Sequence, residues 1–154
     1  MQLPYLITLV LGLGYVFLAS RYLLYQLRKV VNPLNLLMKI YLVVCVFGFT
    51  LPLIHLLGNR FGVVKIHENT TIEKELVLAG NYLLAAAVVF VFSVVLFWFT
   101  QLVVKTMYRI NYQLSVIQND FLFVSIHAIL FVITSMMTSH LLLNLIKVYL
   151  TLNS

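Results

Sequence analysis

In a chain of 154 residues, 63% are hydrophobic and only 9% charged, far from the ~25% charged of a soluble domain. Ten Lys and Arg against four Asp and Glu give a net charge of +6, but the basic residues stand scattered at the ends of apolar runs and form no stripe, which excludes nucleic acid as a partner. One cysteine, Cys45, excludes an intramolecular disulfide and a CxxC redox site.

Four apolar runs fill most of the sequence, at 3–27, 36–57, 76–104 and 121–145. Each reaches the ~20 residues that a helix needs to cross the hydrocarbon of a bilayer. The expected fold is all-α, an integral membrane four-helix bundle built as two antiparallel transmembrane hairpins, in a single domain over 1–154. Lipid is then its first partner.

The first run has no basic residue ahead of it and no small-x-small cleavage site, so it is expected to be a retained helix and not a secretory signal. Arg21, Tyr22, Tyr25, Arg28 and Lys29 supply headgroup anchors at its end. Asn32-Pro33 then breaks the helix, and the turn from Val30 to Asn35 is short enough to fold the first two helices into a hairpin.

The second run holds Gly48 and Pro52. A proline inside a helix frees the carbonyl four residues earlier, here that of Gly48, so a kink is expected between these two positions. The second connection, 59–74, is the longest polar stretch and contains the sequon Asn69-Thr70-Thr71, read as a chance triplet. In the third run Ala85-Ala86-Ala87 is a small patch suited to close helix contact. Phe90, Phe92, Phe97, Trp98 and Phe99 follow, read as an interfacial anchor.

The fourth run carries Ser125, His127, Thr134, Ser135, Thr138, Ser139, His140 and Asn144. Thr134/Thr138 and Ser135/Ser139 are spaced i, i+4, so a polar strip is expected along one side, turned toward protein or water. Ser125, Thr134, Ser135, Thr138, Ser139, His140 and Asn144 are accordingly candidates for helix contacts or for lining a pore. Hydroxyls that bond back to their own helix or hold neighbouring helices together are the favoured interpretation.

His55-Leu56-Leu57-Gly58-Asn59 and His140-Leu141-Leu142-Leu143-Asn144 repeat a His-Leu-Leu-x-Asn pattern 85 residues apart. A true repeat makes the second and fourth helices run in the same direction, with both histidines at similar depth. His55 and His140 then form a candidate metal or b-haem pair. His127 and His140 lie about 220° apart on a helical wheel and cannot line one face.

Acidic residues stand only at helix starts or in connections, which disfavours a carboxylate-driven exporter. HExxH, GxSxG and acidic metal clusters are absent from the sequence. The chain is therefore expected to be no enzyme and to need no cofactor. It is read as a packing or accessory subunit of a membrane complex, or as a homo-oligomer. The alternatives are a small oligomeric channel lined by the polar face of the fourth helix and a b-haem electron carrier. Six basic residues flank the first and third connections against four on the other side, three of those beside Glu68, Glu73 and Glu75. The positive-inside rule then places both termini outside the cytoplasm.

The segment Gly48-Phe49-Thr50-Leu51-Pro52-Leu53, with Asn119 at the start of the fourth helix, resembles the bacterial YjfL-like family of small four-helix inner-membrane proteins, a domain of unknown function. That family continues with alternating alanines where Asp120-Phe121-Leu122 stands here. The resemblance implies the architecture and a bacterial inner membrane, and no activity.

Overall fold

The computed structural model describes the backbone of residues 3–30, 34–61, 72–108, 118 and 121–152, and side chains over 9–30, 34–57, 83–107, 121–142 and 144–145 with those at 80 and 118. The described residues form four α-helices, α1 (Leu3–Arg28), α2 (Leu36–Phe61), α3 (Ile72–Tyr108) and α4 (Phe121–Leu152). The sequon at 69–71 and Asn119 lie outside the described residues.

Each helix contains a segment fit to cross a bilayer by length and composition: Leu9–Arg28, Leu36–Leu57, Leu83–Met107 and Phe121–Leu142. In hydrocarbon every backbone N–H and C=O must be satisfied within the protein, and a helix does this inside one segment. The chain is on this ground an integral membrane protein. The helices outrun the apolar stretches: α3 begins at Ile72 and ends at Tyr108, and α4 continues to Leu152. Hydropathy marks where lipid ends, whereas a helix can continue into the headgroup layer on its own hydrogen bonds.

Local signals fix the start of α2 and the end of α1. Asn35 caps α2, its Oδ1 accepting from the backbone N–H of Met38 at 2.8 Å while its carbonyl accepts from Lys39 at 3.1 Å. At the end of α1 the N–H of Lys29 reaches the carbonyl of Tyr25 and that of Val30 the carbonyl of Leu27. The Lys29 ammonium lies 4.4 Å from the centre of the Tyr25 ring, as suits a headgroup anchor.

Cross-helix hydrogen bonds set the packing. Between α2 and α4 they join Tyr41 to His127, Gly48 to Ser135 and His55 to His140, at sequence separations of 86, 87 and 85. A near-constant separation requires two helices running in the same direction in register. Tyr15 with Ser93 and Tyr22 with Trp98, separated by 78 and 76, make α1 and α3 parallel in the same way. Helix α2 also packs on α1 and α3, and α4 on α3, so α1 and α4 occupy opposite corners of a rhombus whose short diagonal is α2–α3.

The interior stripe of α2 runs Met38, Tyr41, Cys45, Gly48, Pro52, His55, alternating steps of three and four, with all but the half-buried His55 buried. On α3 the buried positions are Ala85, Val89, Ser93, Phe97, Thr100 and Val104. Steps of four overshoot a full turn, so this stripe winds about the helix axis. At the centre Phe49 lies 5.3 Å from Phe131, 5.8 Å from Phe97 and 6.1 Å from Phe90, centroid to centroid, within the range where aromatic pairs attract. The expected interfacial cluster on α3 is thus divided. Phe97 belongs to the core, while Trp98 and Phe99 are exposed. Trp98 stays outside but donates from Nε1 to the Tyr22 hydroxyl at 2.6 Å.

The outer surface is apolar on all four helices, with Leu13 and Phe17, Val43 and Ile54, Leu83 and Val95, Ile129 and Met137 exposed. Helix α4 presents as much of this surface as the others. Its expected inward turn holds for one side only.

Candidate functional site

Three polar ties between α2 and α4 are the chemically distinctive feature of the bundle. On α2 they start from Tyr41, Gly48 and His55, seven residues apart. Two turns of helix return nearly to the same side, so one stripe faces one partner along its length.

The first tie is a buried chain. The Tyr41 hydroxyl lies 2.7 Å from Nδ1 of His127, and Nε2 of His127 lies 3.2 Å from Thr100 Oγ1. Thr100 donates its own proton to the Phe97 carbonyl at 2.9 Å and therefore accepts from the ring. This places the imidazole proton on Nε2 and leaves Nδ1 to accept from Tyr41. His127 is 0% exposed and the chain joins α2, α3 and α4. A neutral imidazole with both nitrogens used is a structural element, since an unpaired polar group there would cost several kcal/mol in hydrocarbon, on the order of 4–8 against an alkane reference.

The second tie answers the proline. Pro52 has no N–H for the carbonyl of Gly48, and Ser135 Oγ donates to that carbonyl at 2.6 Å. The next carbonyl, of Phe49, accepts from the Tyr15 hydroxyl at 2.9 Å. Two neighbouring helices thus supply donors where α2 is interrupted, and α2 continues as a helix past Pro52 to Phe61. A Ser135→Ala variant is expected to lose about 1 kcal/mol of stability, within the range of interhelical hydrogen bonds in membranes. In a Pro52→Ala background the new N–H serves the Gly48 carbonyl and the same change is expected to cost close to nothing. Unfolding in mixed micelles of the four variants measures the difference.

The third tie joins the repeated pattern. Nε2 of His55 and Nε2 of His140 stand 3.0 Å apart, with ring centroids at 4.2 Å and planes inclined by 64°. His55 is half-buried and His140 exposed, and His55 stands four residues before Asn59, where the polar connection 59–74 begins. The separation between the repeated histidines noted in the sequence, 85, is the one that brings them together. Axial ligands of a haem iron stand on opposite sides of the porphyrin. These two rings touch, and no macrocycle fits between them.

The remaining candidates on α4 do not share one environment. Ser135 and Ser139 are buried, Ser125, Thr134 and Thr138 half-buried, and Asn144 exposed like His140. Thr134 donates to the Leu130 carbonyl at 2.7 Å, Thr138 to that of Thr134 at 2.6 Å and Ser139 to that of Met136 at 2.6 Å. These three bond back to their own helix, and Ser135 reaches across to another. Tyr41 and Thr100, which complete the His127 chain, were not among the expected site residues. The 85-residue separation carried back along α2 would have paired Tyr41 with the neighbourhood of His127.

Among the described residues no group of three or more His, Cys, Asp or Glu is placed to hold a metal ion. Comparison with protein-family models, with curated proteins and with solved structures finds no match.

Proposed function

We propose that the chain is a non-enzymatic membrane subunit acting through helix packing, as an accessory chain of a larger complex or as a homo-oligomer. The observation that supports this is the use of its interior polar groups. Among the described residues each buried polar side chain, Thr50, Ser93, Thr100, His127, Ser135 and Ser139, has a hydrogen-bond partner, either another helix or its own backbone. Groups so engaged rigidify the bundle and hold its shape.

In this proposal the chain forms two antiparallel hairpins, α1–α2 and α3–α4, with both termini outside the cytoplasm of a bacterial inner membrane. The parallel registers of α1 with α3 and of α2 with α4 suit such a tandem arrangement. The segment 48–53 that resembles the YjfL-like family is the one tied by Ser135 and Tyr15, so a shared segment here would reflect shared packing.

The exposure of His140 and Asn144 on α4 favours the rival, a pore formed by several copies. Native mass in mild detergent, pull-down and liposome flux on one preparation separate the two. A mass of several copies, or a co-purifying membrane chain, is expected without flux. A lone monomer with no partner overturns the proposal, and flux abolished by Thr138→Leu replaces it with the pore.

A further inference from the structure

The His55–His140 pair differs from the other two ties in position and in chemistry. Tyr41–His127 and Gly48–Ser135 are closed inside the bundle, whereas His140 is exposed and His55 stands four residues, about one turn, before Asn59, where the long polar connection begins. An ion in the adjoining aqueous layer can reach them. The outer end of a helix pair gains little from a neutral imidazole contact where water is available to either ring, since a net hydrogen bond near solvent is worth about 1 kcal/mol.

The spacing suits a ligand shared by both rings. Zinc binds histidine nitrogen at ~2.0–2.1 Å in tetrahedral sites, which places two nitrogens of one shell roughly 3.3 Å apart. The Nε2 atoms are at 3.0 Å and the ring centroids at 4.2 Å, so the nitrogens must part by a few tenths of an ångström and the rings turn outward, to centroids roughly 5 Å apart, before both lone pairs converge on one ion. In the metal-free contact one Nε2 carries the proton that bridges the pair. To present two lone pairs that ring must hold its proton on Nδ1, a tautomer change with no net release of a proton.

We propose that His55 and His140 form a two-imidazole clamp for a late first-row transition-metal dication, taken up from the aqueous side at the shared end of α2 and α4, with water in the remaining coordination positions. Imidazole ligands favour zinc, copper and nickel over magnesium or calcium. An ion bound there adds its affinity to the packing of α2 against α4 and so stabilises the bundle in proportion to its concentration.

The test uses the full chain, purified in mild detergent and freed of metal with a chelator, then titrated with Zn2+ by calorimetry and with Co2+ by visible absorption. One Zn2+ per chain is expected, with a rise in thermal stability and, for Co2+, ligand-field bands of a nitrogen-containing shell. His55→Ala and His140→Ala are each expected to weaken Zn2+ binding at least tenfold. His140→Cys, which keeps a ligand, is expected to retain it and to add thiolate charge-transfer absorption with Co2+. Circular dichroism and gel filtration establish that each variant is folded. Absence of Zn2+ binding in the folded wild-type chain overturns the proposal, as does binding of undiminished affinity in the folded His55→Ala/His140→Ala chain.

Discussion

Replacing His127 by leucine is expected to destabilise the bundle by about 2–3 kcal/mol, the cost of taking from a buried hydroxyl the acceptor of its short hydrogen bond. Leucine fills most of the volume of the imidazole, so a cavity is the smaller part of the effect. The larger part falls on Tyr41, a residue 2% exposed whose hydroxyl donates to His127 Nδ1 at 2.7 Å. Thr100 suffers less, because its hydroxyl keeps the bond to the Phe97 carbonyl. The two residues should therefore be strongly coupled. Tyr41→Phe alone leaves Nδ1 of His127 without this donor, while Tyr41→Phe with His127→Leu removes both ends and is expected to recover most of the loss. A double-mutant cycle of unfolding in mixed micelles gives the coupling directly. Additive losses would mean that Tyr41 and His127 act independently, against the geometry of the chain.

The helices were legible because the bilayer sets a minimum length for an apolar run, and four runs met it. Helix ends were less so. Nothing in the apolar count distinguishes Leu145 from Leu152 as the end of α4, since beyond the hydrocarbon a helix is held by its own backbone. Gly48 and Pro52 announced an unserved carbonyl, but the identity of its donor depends on the register of α2 against α4. The repeated His-Leu-Leu-x-Asn pattern contains that register, because one separation near 86 aligns His55 with His140, Gly48 with Ser135 and Tyr41 with His127. The hydroxyls on α4 are ambiguous in the sequence for a physical reason. A threonine or serine in a helix can satisfy itself on the preceding turn, so i, i+4 spacing of hydroxyls at Thr134 and Thr138 marks no particular face. Aromatic residues on α3 were equally ambiguous, because Phe97 in the core and Trp98 at the surface are neighbours in sequence. Helical rotation by about 100° per residue puts adjacent side chains on different sides.

Gly48→Ala is expected to cost about 1–3 kcal/mol, and its sign tests the packing of α2 on α4. By helix propensity alone the substitution is favourable, alanine exceeding glycine by about 1 kcal/mol in water. Against this, a Cβ at position 48 would stand 2.6 Å and 2.7 Å from Cε1 and Cδ1 of the Phe131 ring and 3.4 Å from Cγ2 of Val132. Phe131 cannot retreat easily, being 0% exposed and held between Phe49 and Phe97, each 5.3 Å away centroid to centroid. Overpacking of a full core typically costs ~1–3 kcal/mol, and relief by moving α4 outward would stretch the Ser135 bond to the Gly48 carbonyl, now 2.6 Å. Loss of that bond restores the unserved carbonyl left by Pro52, so steric and polar penalties have the same sign and outweigh propensity. A smaller neighbour reverses the balance: in a Phe131→Leu background Gly48→Ala is expected to cost less than 1 kcal/mol, because Cε1, the nearest atom it meets, is gone and the flexible leucine δ carbons can turn away. Unfolding in mixed micelles of the four variants measures both effects. Stabilisation by Gly48→Ala in the wild-type background would show that α2 and α4 do not approach each other at this point, and the register joining Tyr41 to His127 and His55 to His140 would fall with it.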